Sequence, residues 1–574
     1  MISPVTFLAL TCLSTTVLGT SLTRPSQQNA PEFDWDSIKP SPKLVYHDCY
    51  EQFKCARLEV PLDWHNPSDP RRAIIAIQTL PARVPTNHSS FAGSILTNPG
   101  GPGNSGTQIG LAGAAPMQAL FDKPGERHYE IVWFDPRGIG RTTPAASCFR
   151  SNLARAGWFT ENQGMGGING LGHGGLNAGD MGYALALNKG FALACKQTEG
   201  QYGEALAYVN TASVARDMVE IIDRSDELYN GHSCGSGYNL DRRHENKTEV
   251  PRLKFLGFSY GTTLGNYFAS MFPGRVSRLI LDGVLDADDY ANGPGWTTNL
   301  VDTDKIFDEF WEGCFAAGPK LCHLADGTDP VSAQRKFWSW VASIDEGPLA
   351  FVDASGIVNI FSGDDMRRYV GLAVYHPLEK FADLHRLAAG ALKGDESAIV
   401  EMFNASSIKP PFQNGYPASG SGAPEGRYQP GPLEGEPAYV CGDGSDVTDK
   451  DAPWWMDYFR QQEKQSRVLG RYWPYTRLIC SSWPVKANWR FTGPFTSPAA
   501  DPSNKPGVPL APILFLSTRL DPVTPVSAAR RMAAGHPGAG IVVPERHRPL
   551  RSRLGPEPLH ACPSGRVHGY RQGT

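Results

Sequence analysis

The chain has 574 residues, more than one hydrophobic core usually serves, since domains typically run to about 100–200 residues. Its 54 Lys and Arg against 58 Asp and Glu give a net charge of −4. That balance lacks the basic excess needed to neutralise phosphates, so nucleic acid is not expected as a partner. With 41% hydrophobic and 10% aromatic residues, the chain can bury a large core, which excludes wholesale disorder.

Residues 5–19 form an uncharged, mainly apolar stretch that ends in small residues. This pattern predicts that residues 1–19 are a cleaved signal peptide rather than a membrane anchor, which needs about 20 apolar residues. We therefore expect a secreted, extracellular chain with no membrane association after cleavage. Three N-glycosylation acceptor sequences agree with export, at Asn87, Asn246 and Asn404.

Strand-like runs of β-branched and apolar residues fall in two blocks, separated by a long segment with helical patterns such as 302–315 and 332–344. The runs span 56–60, 73–80, 93–97, 129–134, 253–257 and 276–282 in the first block and 512–517 in the second. A helical pattern at 212–228, with Thr211 as its expected N-cap, adds strand–helix alternation, which argues for a parallel sheet.

This pattern predicts a core that is divided into two parts by an inserted cap. The expected divisions are the signal peptide 1–19, the first core part 20–285, the cap 286–495, the second core part 496–543 and a tail 544–574. Within the cap, residues 409–437 are dense in Pro, Gly and Ser and are expected to form a mobile loop. Residues 164–182 include nine Gly and are expected to form a flexible excursion.

The pattern Gly-x-Ser-x-Gly occurs twice, at 231–235 and at 257–261. The composition alone predicts about 0.45 accidental matches, so context decides. Ser259 stands between an apolar, strand-like run and a helical one, the setting of a nucleophile elbow, whereas Ser233 stands in a polar stretch and is expected to be inert. The alternative for Ser259 is an ordinary turn with an unreactive serine.

A glycine-rich turn follows the run at 93–97, in the sequence NPGGPG at 98–103. We expect the backbone N–H groups of Gly101 and Tyr260 to form the oxyanion hole that an elbow requires. Asp135 and Arg137 follow the next strand, and we expect this pair to orient the loops by a charge-assisted hydrogen bond.

The segments NPGGPGNSG, FDPRGIGRT, GFSYGTTLG and LILDGVLDADDY together resemble the secreted tripeptidyl aminopeptidase-like branch of the α/β-hydrolases, related to proline iminopeptidases. The resemblance covers nearly the whole mature chain. It implies an α/β fold, namely the doubly wound, mostly parallel sheet of an α/β-hydrolase with a large, mainly helical cap inserted before the last strands. It also implies release of short peptides or single residues from free peptide N-termini, with no cofactor and no metal.

The catalytic acid is predicted at Asp521, just after the run at 512–517, in the chain order Ser, acid, His. Its alternative role is helix capping. The family's Gly-His-Cys-like turn for the base is missing, and the last 31 residues change character, with six Arg, five Pro and three His. His547 is the best placed base, against the alternative of an exposed histidine in a disordered tail. A misread or frame-shifted last exon would explain the departure.

An aminopeptidase needs carboxylates for the substrate's ammonium group, and the resemblance implies that the cap supplies them. The candidates are Glu434, Glu436 and Asp443, each of which is otherwise a solvated surface charge. Two rival functions stay open at this point. One is an esterase or other acyl hydrolase on the same triad, and the other is a catalytically impaired binding protein, because of the aberrant C-terminus.

Eleven cysteines leave at least one sulfur unpaired in an oxidising compartment. Cys12 leaves with the signal peptide, and Cys234 and Cys562 lie in a polar stretch and in the tail. The other eight are disulfide candidates in the pairs Cys49–Cys55, Cys148–Cys195, Cys314–Cys322 and Cys441–Cys480. A zinc site is the rival interpretation, but no Cys-x-x-Cys motif or histidine cluster favours it.

Overall fold

The computed structural model describes residues 33–149, 177–202, 205–230, 250–353, 358–406 and 432–544, together with residue 356 and several residues between 151 and 161. A nine-stranded sheet runs in the order β1-β2-β3-β5-β4-β6-β7-β10-β11. Its strands are β1 (His47–Cys49), β2 (Phe53–Pro61), β3 (Arg72–Leu80), β4 (Phe91–Asn98), β5 (His128–Phe134), β6 (Leu253–Phe258), β7 (Val276–Asp282), β10 (Leu514–Leu516) and β11 (Gly540–Val542). A separate hairpin consists of β8 (Leu349–Val352) and β9 (Val358–Phe361).

The sheet is parallel from β5 through β4, β6, β7 and β10 to β11, while β1, β2 and β3 join it antiparallel at one edge. The central strand β6 is buried at nearly every position, as expected of a parallel strand covered by helices on both faces. All seven predicted strand runs lie at strands of this sheet. The strand order and the strand–turn–helix at Ser259 are those of an α/β-hydrolase, so the predicted fold class is confirmed.

Fourteen α-helices lie in the described ranges, and most predicted helical patterns coincide with one of them. They are α1 (Gly106–Phe121), α2 (Ala178–Tyr202), α3 (Thr211–Asn230), α4 (Tyr260–Met271), α5 (Ala287–Ala291), α6 (Thr303–Ala317), α7 (Pro330–Glu346), α8 (Gly363–Tyr375), α9 (Pro377–Ala391), α10 (Glu396–Ser406), α11 (Pro432–Asp443), α12 (Ala452–Gln465), α13 (Tyr475–Leu478) and α14 (Val526–Gly535).

The residues between β7 and β10 belong to two hydrophobic clusters. Helices α6 to α10 and the β8–β9 hairpin form their own core around Phe307, Trp311 and Phe337. Helices α11 and α12 instead pack into the cluster of the main sheet, where Tyr439 and Trp455 are fully buried. The inserted segment therefore covers the sheet with one part and adds a separate helical body with the other.

Three local predictions are corrected by the structure. Residues 432–437 belong to helix α11 rather than to a mobile loop, because the apolar side of that helix is buried against the main core. Residues 178–182 begin helix α2 rather than continuing a glycine-rich excursion. Helix α3 is capped by Asn210, whose Oδ1 accepts from the Ser213 N–H at 2.8 Å, and not by Thr211. The remainders of both low-complexity segments lie largely outside the described residues.

All four predicted cysteine pairs form disulfides, which join Cys49 to Cys55, Cys148 to Cys195, Cys314 to Cys322 and Cys441 to Cys480. Cys12, Cys234 and Cys562 lie outside the described residues. Within the described part of the chain, no helix combines the length and the apolar character needed to cross a bilayer. The predicted signal peptide is also outside that part.

Candidate active site

Ser259 occupies the sharp turn between β6 and α4 with φ 53° and ψ −122°. A non-glycine residue with positive φ is uncommon and strained, and such strain is typical of functional positions. Two hydrogen bonds hold the turn: the Ser259 N–H donates to the Asp282 carbonyl at 3.0 Å, and the Thr262 N–H donates to the Ser259 carbonyl at 2.8 Å. The side chain is partly exposed at the first turn of α4.

The two glycines of the motif are required by close packing on either side of the turn. A Cβ at Gly257 would lie 2.3 Å from the Gly261 carbonyl oxygen, and one at Gly261 would lie 2.7 Å from the Asn98 carbonyl oxygen. Farther along α4, a Cβ at Gly265 would lie 2.4 Å from a methyl group of Leu281. These three glycines therefore allow helix α4 to pack closely against the sheet, with Ser259 at the N-terminus of the helix.

The glycine-rich loop after β4 lies directly against this turn. A Cβ at Gly100 would lie 2.9 Å from the Ser259 Cβ and 3.2 Å from the Tyr260 nitrogen. The Gly100 N–H donates to Asn98 Oδ1 at 2.9 Å, whereas no described residue accepts from the N–H of Gly101 or of Tyr260. The two predicted oxyanion-hole donors thus belong to adjoining backbone segments beside Ser259.

Asp135 and Arg137 hold loops in place, as predicted, but they do so through separate partners. Asp135 is fully buried and accepts from the backbone and hydroxyl of Thr107 at 2.9 Å each and from the Ser105 hydroxyl at 2.8 Å. It thereby fixes the start of α1, directly after the glycine-rich loop. Arg137 pairs with Asp217 at 2.6 Å and so anchors the segment after β5 to helix α3, which contains Asp217.

Asp521 follows β10, on the loop before α14, as predicted for the acid. Its Oδ1 accepts three hydrogen bonds, from the N–H groups of Val523 (3.1 Å) and Thr524 (2.7 Å) and from the Thr524 hydroxyl (2.7 Å). Its Oδ2 receives no hydrogen bond from any described residue. Burial raises the pKa of Asp521, although these hydrogen bonds oppose the rise. Hydrogen bonds to Oδ1 therefore hold the carboxylate in place, while Oδ2 is available to accept a further hydrogen bond.

A second carboxylate, Asp282, lies within electrostatic reach of Asp521 at this edge of the sheet. Burial, with the neighbouring charge of Asp521, raises the pKa of Asp282 to about 6. Asp282 and Leu516 are paired in register, and the Asp282 carbonyl is the one that holds the Ser259 N–H. The carboxyl ends of adjacent parallel strands meet at one edge, a signal in the sequence that would have singled out Asp282.

The predicted base, His547, lies outside the described residues. The nearest described histidine in the chain, His536, has both ring nitrogens occupied: Nδ1 accepts from the Ser497 hydroxyl at 2.9 Å, and Nε2 donates to Asn266 Oδ1 at 3.0 Å. It is 2% exposed, and burial lowers its pKa to about 4. His536 is thus a neutral part of the framework, and its ring nitrogens are not available to act on Ser259.

The three predicted substrate-binding carboxylates lie along α11 in different environments. Glu434 is buried, accepts from the Cys148 N–H at 3.0 Å and pairs with Arg155 at 3.0 Å. Asp443 is also buried and accepts from Thr211 and from the Tyr290 hydroxyl, while burial raises its pKa to about 6. These contacts give Glu434 and Asp443 a role in fixing the helix.

Glu436 differs from its two neighbours on α11. It is partly buried, it has no hydrogen-bond or ion-pair partner among the described residues, and burial raises its pKa to about 7. Burial, Tyr472 and the charges of both Asp521 and Glu436 raise the pKa of Tyr375. Tyr375, at the end of α8, therefore stands within electrostatic reach of both carboxylates.

Comparisons with known proteins show which proteins this chain is similar to. Residues 466–547 match the family model described as "TAP-like protein". The chain is 26% identical over 498 residues to serine protease Hip1 of Mycobacterium tuberculosis, covering 83% of this chain and 78% of that protein. It is 22% identical over 523 residues to the tripeptidyl aminopeptidase of Streptomyces coelicolor, covering 89% and 77%.

A shorter similarity, 35% over 119 residues and 21% of each chain, links it to carboxylesterase B of M. tuberculosis. Among solved structures, an α/β-hydrolase from a deep-sea metagenome covers 82% of this chain and 86% of its own at 10% identity, with a TM-score of 0.26. The TAP-like match and the two long similarities confirm the predicted resemblance: the chain is similar to TAP-like α/β-hydrolases that include serine peptidases.

Proposed function

We propose that this chain is an exported serine aminopeptidase that releases short peptides or single residues from free peptide N-termini. The observation that carries the proposal is Glu436, a partly buried carboxylate of α11 without a described partner, which acts electrostatically on the same tyrosine, Tyr375, as Asp521 does. Burying an ionised carboxylate without a partner costs free energy, and a cation that pairs with the carboxylate offsets this cost. The ammonium of a peptide N-terminus is a cation of suitable size and charge.

In the proposed reaction, the Ser259 hydroxyl attacks the scissile carbonyl while His547 takes its proton, and the open oxygen of Asp521 holds the imidazole. The carbonyl oxygen becomes an oxyanion between the N–H groups of Gly101 and Tyr260. Collapse of the tetrahedral intermediate breaks the C–N bond, and His547 returns the proton to the leaving amine. Water then repeats the sequence on the acyl-enzyme and restores Ser259.

Export belongs to the same proposal. Residues 1–19 would direct secretion, and the four disulfides suit an oxidising compartment. Two of the three predicted glycosylation sites are described, and both are exposed: Asn87 in the connection between β3 and β4, and Asn404 in α10. Asn246 lies outside the described residues. Their exposure is compatible with attached glycans.

The proposal is tested by comparing a tripeptide amide with its N-acetylated form as substrates of the purified secreted chain. Free peptide is expected to be cleaved with kcat/KM at least about 10²-fold higher, because acetylation removes the charge that Glu436 binds and leaves the carboxylate unpaired. The variant Glu436→Gln should lose most of that preference by raising KM for the free peptide. Glu309→Gln, which alters an exposed cap carboxylate paired with Arg519, is the matched control.

Three results would contradict the proposal. Equal turnover of both peptides would remove the requirement for a free N-terminus. Turnover of simple esters alone would favour the esterase that the similarity to carboxylesterase B raises. A Glu436→Gln variant that kept the full preference would show that a group other than Glu436 recognises the ammonium.

A further inference from the structure

Asn104, which directly follows the glycine-rich loop 98–103 beside Ser259, has a polar side chain without a described partner. Asn104 is 7% exposed, and its amide nitrogen is buried without a hydrogen bond to any described residue. No described residue bonds its amide oxygen either. Since an unpaired buried amide costs about 1–3 kcal/mol, such a group in a native protein calls for an explanation.

The rest of the loop shows that the missing partner is specific to Asn104. The neighbouring polar side chains are all engaged: Asn98 accepts from the Gly100 N–H, and Ser105 and Thr107 donate to Asp135. Exchanging the oxygen and nitrogen of the Asn104 amide would not remove the free N–H₂, because neither position has a protein partner. The loop therefore offers a side-chain donor in either orientation.

This donor lies against the predicted oxyanion hole. The Asn104 amide nitrogen is 3.2 Å from where a Cβ on Gly101 would stand, and Gly100 is in turn packed on Ser259 and Tyr260. Its backbone is fixed from the next residue onward, because Ser105 caps α1 and is tied to Asp135. A buried donor on so well-anchored a backbone costs little reorganisation when negative charge develops nearby.

We propose that Asn104 donates a hydrogen bond from its side-chain amide to the oxyanion that forms when Ser259 attacks, as a third donor beside the N–H groups of Gly101 and Tyr260. The interaction would be made in the transition state and completed only when a substrate is bound, which accounts for the unpaired amide in the free enzyme. This inference rests on the proposed function for its serine chemistry, but not on the preference for free N-termini.

The test measures two rates in the full secreted chain: kcat and KM for a tripeptide amide, and the rate constant with which a fluorophosphonate probe modifies Ser259. The phosphonyl oxygen occupies the same hole as the oxyanion, so the second rate reports on Asn104 without any peptide. Asn104→Ala is expected to lower kcat and the modification rate by about 10²-fold, with KM changed less than about threefold. Asn104→Asp should lose at least as much, since it keeps the shape but removes the donor.

Gln78→Leu is the matched control, because Gln78 is also a buried amide without a described partner. It lies beside Gly110 of α1 and is paired in register with Trp133 of β5 rather than lying against the oxyanion loop. The control variant should keep both rates. The inference is overturned if folded Asn104→Ala or Asn104→Asp retains both rates within threefold, or if only KM rises. A wild-type chain that reacts with the probe but ignores free N-termini refutes the aminopeptidase proposal alone, while one that does not react refutes both.

Discussion

Burial of His536 is expected to make the free energy of unfolding decrease as the pH falls below neutral. Burial lowers its pKa from 6.5 to about 4, so the folded chain resists protonation that the unfolded chain accepts. The contribution of neutral His536 is fully present above pH 6.5 and is lost as the pH falls from 6.5 to 4. Two and a half pKa units correspond to about 3 kcal/mol, a large share of the stability of an ordinary domain.

The perturbation is His536→Gln, which can still donate to Asn266 and accept from Ser497 but does not titrate. Urea denaturation followed by tryptophan fluorescence at pH 7 and at pH 4 gives the loss of unfolding free energy for each chain. Wild type is expected to lose about 3 kcal/mol more than the variant, and at pH 7 the variant should still react with a fluorophosphonate at Ser259. Equal losses, or a folded variant that has lost its reactivity, would refute this account of His536.

Three further predictions concern the site. Gly100→Ala should lower kcat/KM by about 10²-fold or more, because its Cβ would stand 2.5 Å from the Phe258 carbonyl oxygen and displace the oxyanion loop; Gly125→Ala, which meets nothing within 4 Å at a similar positive φ, should keep activity. Because the pKa of Glu436 is about 7, its ionised fraction rises about eightfold from pH 6 to pH 7.5. Partial deprotonation of the α-amino group offsets some of that gain, so the preference for free over acetylated peptide should rise about fivefold, and a flat profile would contradict the assignment. His547→Gln should lower peptide turnover and fluorophosphonate reactivity by about 10³-fold, and unchanged rates would remove His547 as the base.

Much of the fold was predictable because the informative residues are local. The parallel strands are short, almost wholly apolar runs. The elbow is recognisable from its two glycines, where an added Cβ would lie 2.3 and 2.7 Å from backbone oxygens. Cysteines close in sequence also paired as expected. In each case a few neighbouring residues determine the local structure, so spacing and composition are sufficient.

The failures have a common physical cause, which is packing between distant segments. Residues 432–437 of helix α11 fall in the predicted loop 409–437 and include Pro437. They are helical because α11 packs on the main core, where Tyr439 is buried and donates to the Arg137 carbonyl at 2.7 Å. Asp282 was missed because its importance comes from Asp521, some 240 residues later in the sequence. Glu434, Glu436 and Asp443 are alike in sequence and differ only in which donors the folded chain brings to them.

The central claim is that Ser259 is the nucleophile of this chain, and fluorophosphonate labelling followed by peptide mapping tests it most directly. We expect a single adduct on Ser259 and no labelling of Ser259→Ala, and the polar sequence around Ser233 predicts no adduct on that serine of the second Gly-x-Ser-x-Gly sequence. A folded wild-type chain that remains unlabelled, or that carries the adduct on another serine, would contradict the account.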